Sequence, residues 1–160
     1  MLDEALLRDM KVELGLDPAR PNVRGSPELV QQILSNLIVN AIDSMAGQGT
    51  LWLRTGQLSS LPAGLLLSPR SAPAYGFVAV EDQGCGIEPE ILPRIFEPFF
   101  TRKALSKRHG TGLGLYMVFE LSKNLGAGLR VESTPGRGST FTLIIPMAGL
   151  PSPAGPGMMA

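Results

Sequence analysis

The chain has 160 residues, enough for one domain with a proper core and too few to expect two. Fourteen Lys and Arg balance fourteen Asp and Glu, so nothing in the charge calls for electrostatic binding to nucleic acid or an anionic membrane. A single cysteine excludes an internal disulfide or a cysteine zinc cluster. With no basic-then-apolar leader and no apolar run near the roughly 18 residues of a spanning helix, a soluble, cytoplasmic protein is expected.

In chain order, residues 1–10, MLDEALLRDM, have helical spacing at Leu2, Leu6 and Leu7 and read as the end of a linker from something upstream. The domain proper is expected over residues 11–148. Lys11 to Leu16 alternates apolar and polar residues as a strand does, and a turn-rich DPARPNVRG follows. Ser26 to Ala46 is the segment around which the rest is organised. At about 100° per residue, Val30, Ile33, Leu34, Leu37, Ile38, Ala41, Ile42 and Met45 share one arc. Ser26 suits the N-cap, Pro27 the first helical position and Glu28 the dipole, and Gly47 stops the run. The opposite face carries Gln32, Asn36, Asn40 and Asp43 where a solvated face would normally use Lys, Glu and Arg. Asn is a poor helix former, and amide carbonyls in one stripe suit a hard cation such as magnesium. A plain solvated stripe has the same pattern.

Thr50 to Thr55 alternates as a second strand. Residues 57–74, QLSSLPAGLLLSPRSAPA, hold three prolines and no sustained period, which predicts a long loop. Its Leu65-Leu66-Leu67 run has the composition of a docking patch, for a partner or for the domain body, or of a plain insertion. Tyr75 to Asp82 reads as an inner strand with Asp82 at its end. Glu88 to Arg94 is a short helical piece interrupted by Pro89 and Pro93, and Ile95 to His109 is irregular. A helix opens at Thr111 or Gly112 and stops between Asn124 and Gly128. Strands follow over Leu129 to Ser133 and Ser139 to Ile145, and residues 149–160 read as a disordered tail rich in Pro and Gly. Interleaved strands and helices make the class α/β, a two-layer sandwich with helices on one face of a sheet.

Four clusters carry chemistry. The first is Asn36, Asn40 and Asp43. The second is Asp82-Gln83-Gly84-Cys85-Gly86-Ile87, where glycines beyond a strand let backbone approach a ligand and a carboxylate stands ready for an exocyclic amine. The third is Gly110-Thr111-Gly112-Leu113-Gly114-Leu115, a glycine run into a helix whose free amides suit phosphate; its spacing is neither a P-loop nor the dinucleotide fingerprint. The fourth, Thr134 to Ser139, is explained as a hairpin turn by its Gly and Pro.

In that order NLIVNAID, DQGCGI, FEPFFTRK (Phe96 to Lys103), GTGLGL and GRGSTF (Gly136 to Phe141) resemble the N, G1, F, G2 and G3 boxes of the ATP-binding catalytic domain of bacterial sensor histidine kinases. That domain belongs to the GHKL superfamily with gyrase, MutL and the ninety-kilodalton heat-shock chaperone, and the match spans Lys11 to Pro146. The resemblance implies the Bergerat fold, a mixed sheet of about five strands with three helices on one face. It implies Mg-ATP as cofactor, with Asn36 and Asn40 holding the magnesium and Asp43 lining the same pocket. Asp82 would take the adenine amino group, with Gly84, Gly86 and Ile87 shaping the base pocket and Ser139 near Asp82. Residues 96–109 would form the ATP lid, opening with Phe96, and Lys103 or Arg108 would meet the phosphates. Gly110, Gly112 and Gly114, with Thr111, Leu113 and Leu115, would form the phosphate-binding run. Asn36 and Lys103 would be the catalytic positions.

The implied activity is transfer of the γ-phosphoryl group to a histidine on a dimerisation domain. The receiver domain of a response regulator is the further partner. The isolated domain is expected to be monomeric, with no nucleic-acid or membrane contact of its own, although the full protein can be membrane-anchored. No phosphoacceptor motif is found in this chain: its only histidine is His109, in the lid and badly placed for that part. Two other functions are compatible with such a domain, a GHKL ATPase driving a clamp and a non-catalytic nucleotide-binding or interaction module. The ATPase branch places an acid, usually Glu, where this chain has Asn36, and an amide takes no proton at neutral pH.

Overall fold

The capping expected at Ser26 is realised. Its hydroxyl accepts the Leu29 amide at 3.3 Å, and Pro27 opens helix α1, Pro27–Ser44. The computed structural model describes residues 9–100 and 114–148. Around α1 stand strands β1 (Asp9–Gly15), β2 (Gln48–Leu58), β3 (Leu65–Leu67), β4 (Tyr75–Glu81), β5 (Gly128–Thr134) and β6 (Gly138–Pro146), with a second helix α2 (Gly114–Leu125). They form one six-stranded sheet in the order β1-β2-β4-β6-β5-β3. β1 and β2 are parallel, because α1 carries the chain back between them, and every other pair is antiparallel. The mixed sheet is the expected one.

The register builds the core in rows. Leu53, Val80, Phe141 and Val131 are partners across four adjacent strands. They pack with Ile33, Leu37 and Ala41 of α1 and Val118, Leu121 and Leu125 of α2 in a single cluster. Both helices therefore cover the same face. At the far edge the covering thins, and Val12 and Leu14 of β1 stay 50% and 61% exposed.

Several sequence expectations are corrected. The described residues hold six strands instead of about five and two α-helices instead of three. The short piece after Pro89 is a run of turns, with the Ile91 and Leu92 amides donating to the Glu88 carbonyl, around a single 3-10 element, Leu92–Arg94; its prolines withhold the donors a longer helix needs. β1 begins at Asp9, so the last two residues of the expected linker belong to the sheet. The 57–74 segment is not simply a loop. Gln57 and Leu58 finish β2, and Leu65–Leu67 adds an edge strand against β5.

After β3 the segment returns to β4 with Pro69 and Ala72 against the face of the sheet opposite the helices. A Cβ on Gly128 would lie 2.6 Å from Pro69 Cδ, the Ala72 amide donates to the Tyr75 hydroxyl at 3.0 Å, and the Arg70 amide donates to the Gly126 carbonyl at 2.9 Å. Ile144, the partner of both Phe77 and Gly128, is buried on that same face. Among the described residues no helix is long and apolar enough to cross a membrane.

Candidate nucleotide site

β4 lies inside the sheet, between β2 and β6, so the first residue beyond its end opens at the centre of the molecule's edge. That residue is Asp82, only 3% exposed. Burial pushes its carboxyl above the usual carboxylate range. The amides of Gly84 and Ser139 pull the other way, and the neighbouring charge of Glu81 adds to the rise. Both amides donate to Oδ1, Gly84 at 2.8 Å and Ser139 at 3.3 Å. Among the described residues no hydrogen bond reaches Oδ2. Glu81 is itself paired with Arg54 at 2.5 Å. A buried carboxylate with one oxygen fixed by two amides can turn its other oxygen to a directed donor.

The loop after Asp82 is clamped on three sides. Gln83 Oε1 accepts the Thr50 amide of β2 at 3.1 Å. Gly84 lies against the end of α1, where a Cβ would sit 2.1 Å from Ser44 Oγ, and the Cys85 amide donates to the Ser44 carbonyl at 3.3 Å. On the third side is the β5–β6 hairpin. The Gly136 amide donates to the Cys85 carbonyl at 2.7 Å, and Gly86, at φ +71°, would drive a Cβ to 2.2 Å from the Thr134 carbonyl oxygen. The Ile87 amide donates to Ser133 Oγ at 2.7 Å. The glycines of this loop thus serve close backbone packing.

The fold therefore brings Asp82, Gly84, Gly86, Ile87 and Ser139 into one cluster against the end of α1. Asn36, Asn40 and Asp43, all half-buried, lie along that helix at spacings that put them on one side. Gly114 opens α2, with nothing within 4 Å of where a Cβ would stand. Ile87, Phe96 and Leu115 pack against the core, and the Phe96 ring lies 5.5 Å from that of Phe119, so the start of the expected lid is fastened to α2. Lys103, Arg108, His109, Gly110, Thr111, Gly112 and Leu113 lie outside the described residues.

The fourth cluster is the hairpin turn its Gly and Pro indicated. It is also part of the site, because Gly138 stands where a Cβ would lie 2.0 Å from the Asp82 carbonyl oxygen. Ser44 and Ser133 carry no signal in the sequence, and Gln83 and Gly138, though inside the second and fourth clusters, are given no role of their own there. The local signals are those clusters themselves, DQGCGI around Gln83 and the glycine-rich turn around Gly138.

A family model described as histidine kinase-, DNA gyrase B-, and HSP90-like ATPase matches residues 25–149. The chain belongs to this family of ATPases. Its relatives within the family include the sensor kinase CckA of Brucella abortus, 39% identical over 139 residues, covering 84% of this chain and 14% of that protein. The signal transduction histidine-protein kinase AtoS of Escherichia coli is 34% identical over 132 residues, covering 82% of this chain and 19% of AtoS. The chain thus spans about a seventh to a fifth of the length of these relatives. The structure of the mycobacterial sensor histidine kinase MprB superposes with a TM-score of 0.68 at 23% identity, covering 92% of this chain and 87% of that one. This likeness is one of fold.

Proposed function

We propose that this domain binds Mg-ATP at the end of β4 and donates the γ-phosphoryl group to a histidine of a separate dimerisation domain, as one half of a sensor histidine kinase in two-component signalling. The observation that carries the reading is Asp82, buried and held through Oδ1 by two amides, with no hydrogen bond to Oδ2 among the described residues.

The residues present fit the cofactor. Asp82 Oδ2 would accept the exocyclic amine of adenine, which guanine does not offer at that position, and Gly84, Gly86 and Ile87 would wall the base. Asn36 and Asn40 would hold magnesium through their amide oxygens, beside Asp43. When bound, Mg-ATP supplies the phosphoryl group and the metal that offsets its charge. The chain's own contribution is positioning and polarity. The amide of Asn36 takes up no proton at neutral pH, so that position offers no general base for a water, and the nucleophile would be the partner's imidazole. Gly110, Gly112 and Gly114 would present amides to the phosphates, and Lys103 and Arg108 would bring cations to them. The further partner is the receiver domain of a response regulator, and the domain would work on the cytoplasmic side.

Calorimetric titration with ADP and a non-hydrolysable ATP analogue tests the site, with and without magnesium and with GDP as control. Adenine-selective, magnesium-assisted binding is expected. A folded sample that binds none of them would overturn the reading. Labelled ATP supplied with a histidine-bearing dimerisation domain tests the transfer, which fails if the label leaves only as inorganic phosphate.

A further inference from the structure

Ser133 lies on β5, two strands away from Asp82, and no part of the reaction described above uses it. Its hydroxyl nonetheless joins the two segments that hold Asp82. It accepts the Ile87 amide at 2.7 Å, lies 2.8 Å from Ser139 Oγ and 3.1 Å from the Gly138 carbonyl oxygen, to which it donates. One hydroxyl carries one proton and two lone pairs. With the Ile87 amide donating to it, it can at once donate to Gly138 and accept from Ser139 Oγ, or donate to Ser139 Oγ instead.

The chain of bonds continues to the carboxylate. Ser139 is 5% exposed, and its amide reaches Asp82 Oδ1 at 3.3 Å. Gly84, three residues before Ile87 in the same loop, donates to that same oxygen at 2.8 Å. Fixing Ile87 at one end and Ser139 at the other fixes both donors that orient Asp82. We infer that Ser133 is a positioning residue, whose hydroxyl locks the Asp82 loop to the β5–β6 hairpin and so aims the Asp82 carboxylate at its ligand. The ligand's identity rests on the nucleotide reading above; the lock does not.

Two readouts on Ser133→Ala and Ser133→Thr separate these. In amide hydrogen exchange of the whole chain, Ser133→Ala is expected to speed the amides of Ile87, Gly84 and Ser139 together, each by about fivefold or more, as loss of a bond worth about 1 kcal/mol implies. The amides of Val118 and Leu121 should keep their wild-type rates, and Ser133→Thr should restore all three site amides. Acceleration of Ile87 alone would overturn the inference, and so would a uniform acceleration that includes α2, which is the mark of a merely structural serine. In titration, ADP should bind Ser133→Ala about tenfold more weakly while magnesium triphosphate binds as it does to wild type. If wild type fails to bind ADP, the nucleotide reading falls, and the exchange rates still decide the lock.

Discussion

Asp82 and Ser139, 57 positions apart in sequence, hold each other in both directions. The Ser139 amide donates to Asp82 Oδ1 at 3.3 Å, and the Asp82 amide donates to the Ser139 carbonyl at 2.9 Å. The side chain that would read a ligand is thus also a structural acceptor. Substitutions at position 82 should therefore separate binding from folding. Asp82→Asn keeps an Oδ1 for both amides and removes the buried charge, but its other atom becomes a donor. It should melt at or above the wild-type temperature and lose adenine-nucleotide binding. Asp82→Ala leaves two buried amides unpaired, at a cost of about 1–3 kcal/mol each. Thermal melts of the three proteins with ADP titrations check the order; an Asn variant melting below the Ala variant would contradict it.

The same carboxyl sets a pH dependence. Burial raises Asp82 above its ordinary value, so the folded state binds this proton more tightly than the unfolded chain does. For an acid shifted in that direction, stability falls as pH rises from the unfolded carboxylate value, about 4, through the folded value, and is recovered on acidification. Denaturant unfolding of wild type and Asp82→Asn across this range should show the advantage of Asn growing with pH and vanishing toward the acid end. A gap independent of pH would exclude the charge as its cause.

How much of this was legible in the sequence depends on the range of the interactions. Helix α1 was readable because its signals are local: a 3.6-residue apolar period, Ser26 capping Leu29, Pro27 beside it. Asp82 and its glycines were readable through their place in the order of the five boxes, since glycines beyond a strand serve any surface turn equally well. Ser133 was not, since its partner Ile87 is 46 residues away and a serine in a strand has no distinctive periodicity. The edge strand Leu65–Leu67 was hidden for a related reason. Three residues hold too little alternation to mark a strand, and the partner strand β5 comes far later in the chain.

Glycines of the site should differ sharply in their tolerance of alanine. Gly138, at φ +117°, would place a Cβ 2.0 Å from the Asp82 carbonyl oxygen, and Gly86, at φ +71°, would place one 2.2 Å from that of Thr134. Gly136, at φ +78°, has nothing within 4 Å. Gly136→Ala should therefore cost only its backbone strain, about 1–2 kcal/mol. Gly138→Ala and Gly86→Ala should cost several kcal/mol, because backbone on both sides must part. Chemical denaturation ranks the three, and equal losses would mean that strain alone accounts for them.

Asn40 tests the amide stripe of α1. If Asn36 and Asn40 hold the metal, Asn40→Ala removes one hard oxygen ligand and leaves the base pocket intact. ADP affinity measured with magnesium should fall about tenfold, as expected for a metal ligand or its near neighbour, while affinity measured in EDTA stays at the wild-type value. An equal loss under both conditions would place Asn40 in packing or base contact.

The segment from Ser59 to Ala72 offers a test of what an insertion does for its domain. β2 and β4 are antiparallel neighbours whose last partners are Leu58 and Tyr75, so a short Gly-containing turn between them would close an ordinary hairpin. If the segment were a dispensable loop, that replacement would be neutral or would even stabilise slightly, since shorter loops close at less entropic cost. Here its Pro69 lies over Gly128 and its Ala72 amide bonds the Tyr75 hydroxyl, on the sheet face that also carries the buried Ile144. It also supplies β3, which shields the edge of β5. The shortened protein should therefore lose about 3 kcal/mol or more, from apolar burial worth about 25 cal/mol per Å². It should also self-associate through the uncovered β5 edge. Melting curves combined with sedimentation velocity read both effects. A shortened chain that stays monomeric and melts with the wild type would show that the sheet carries its outer face without this cover.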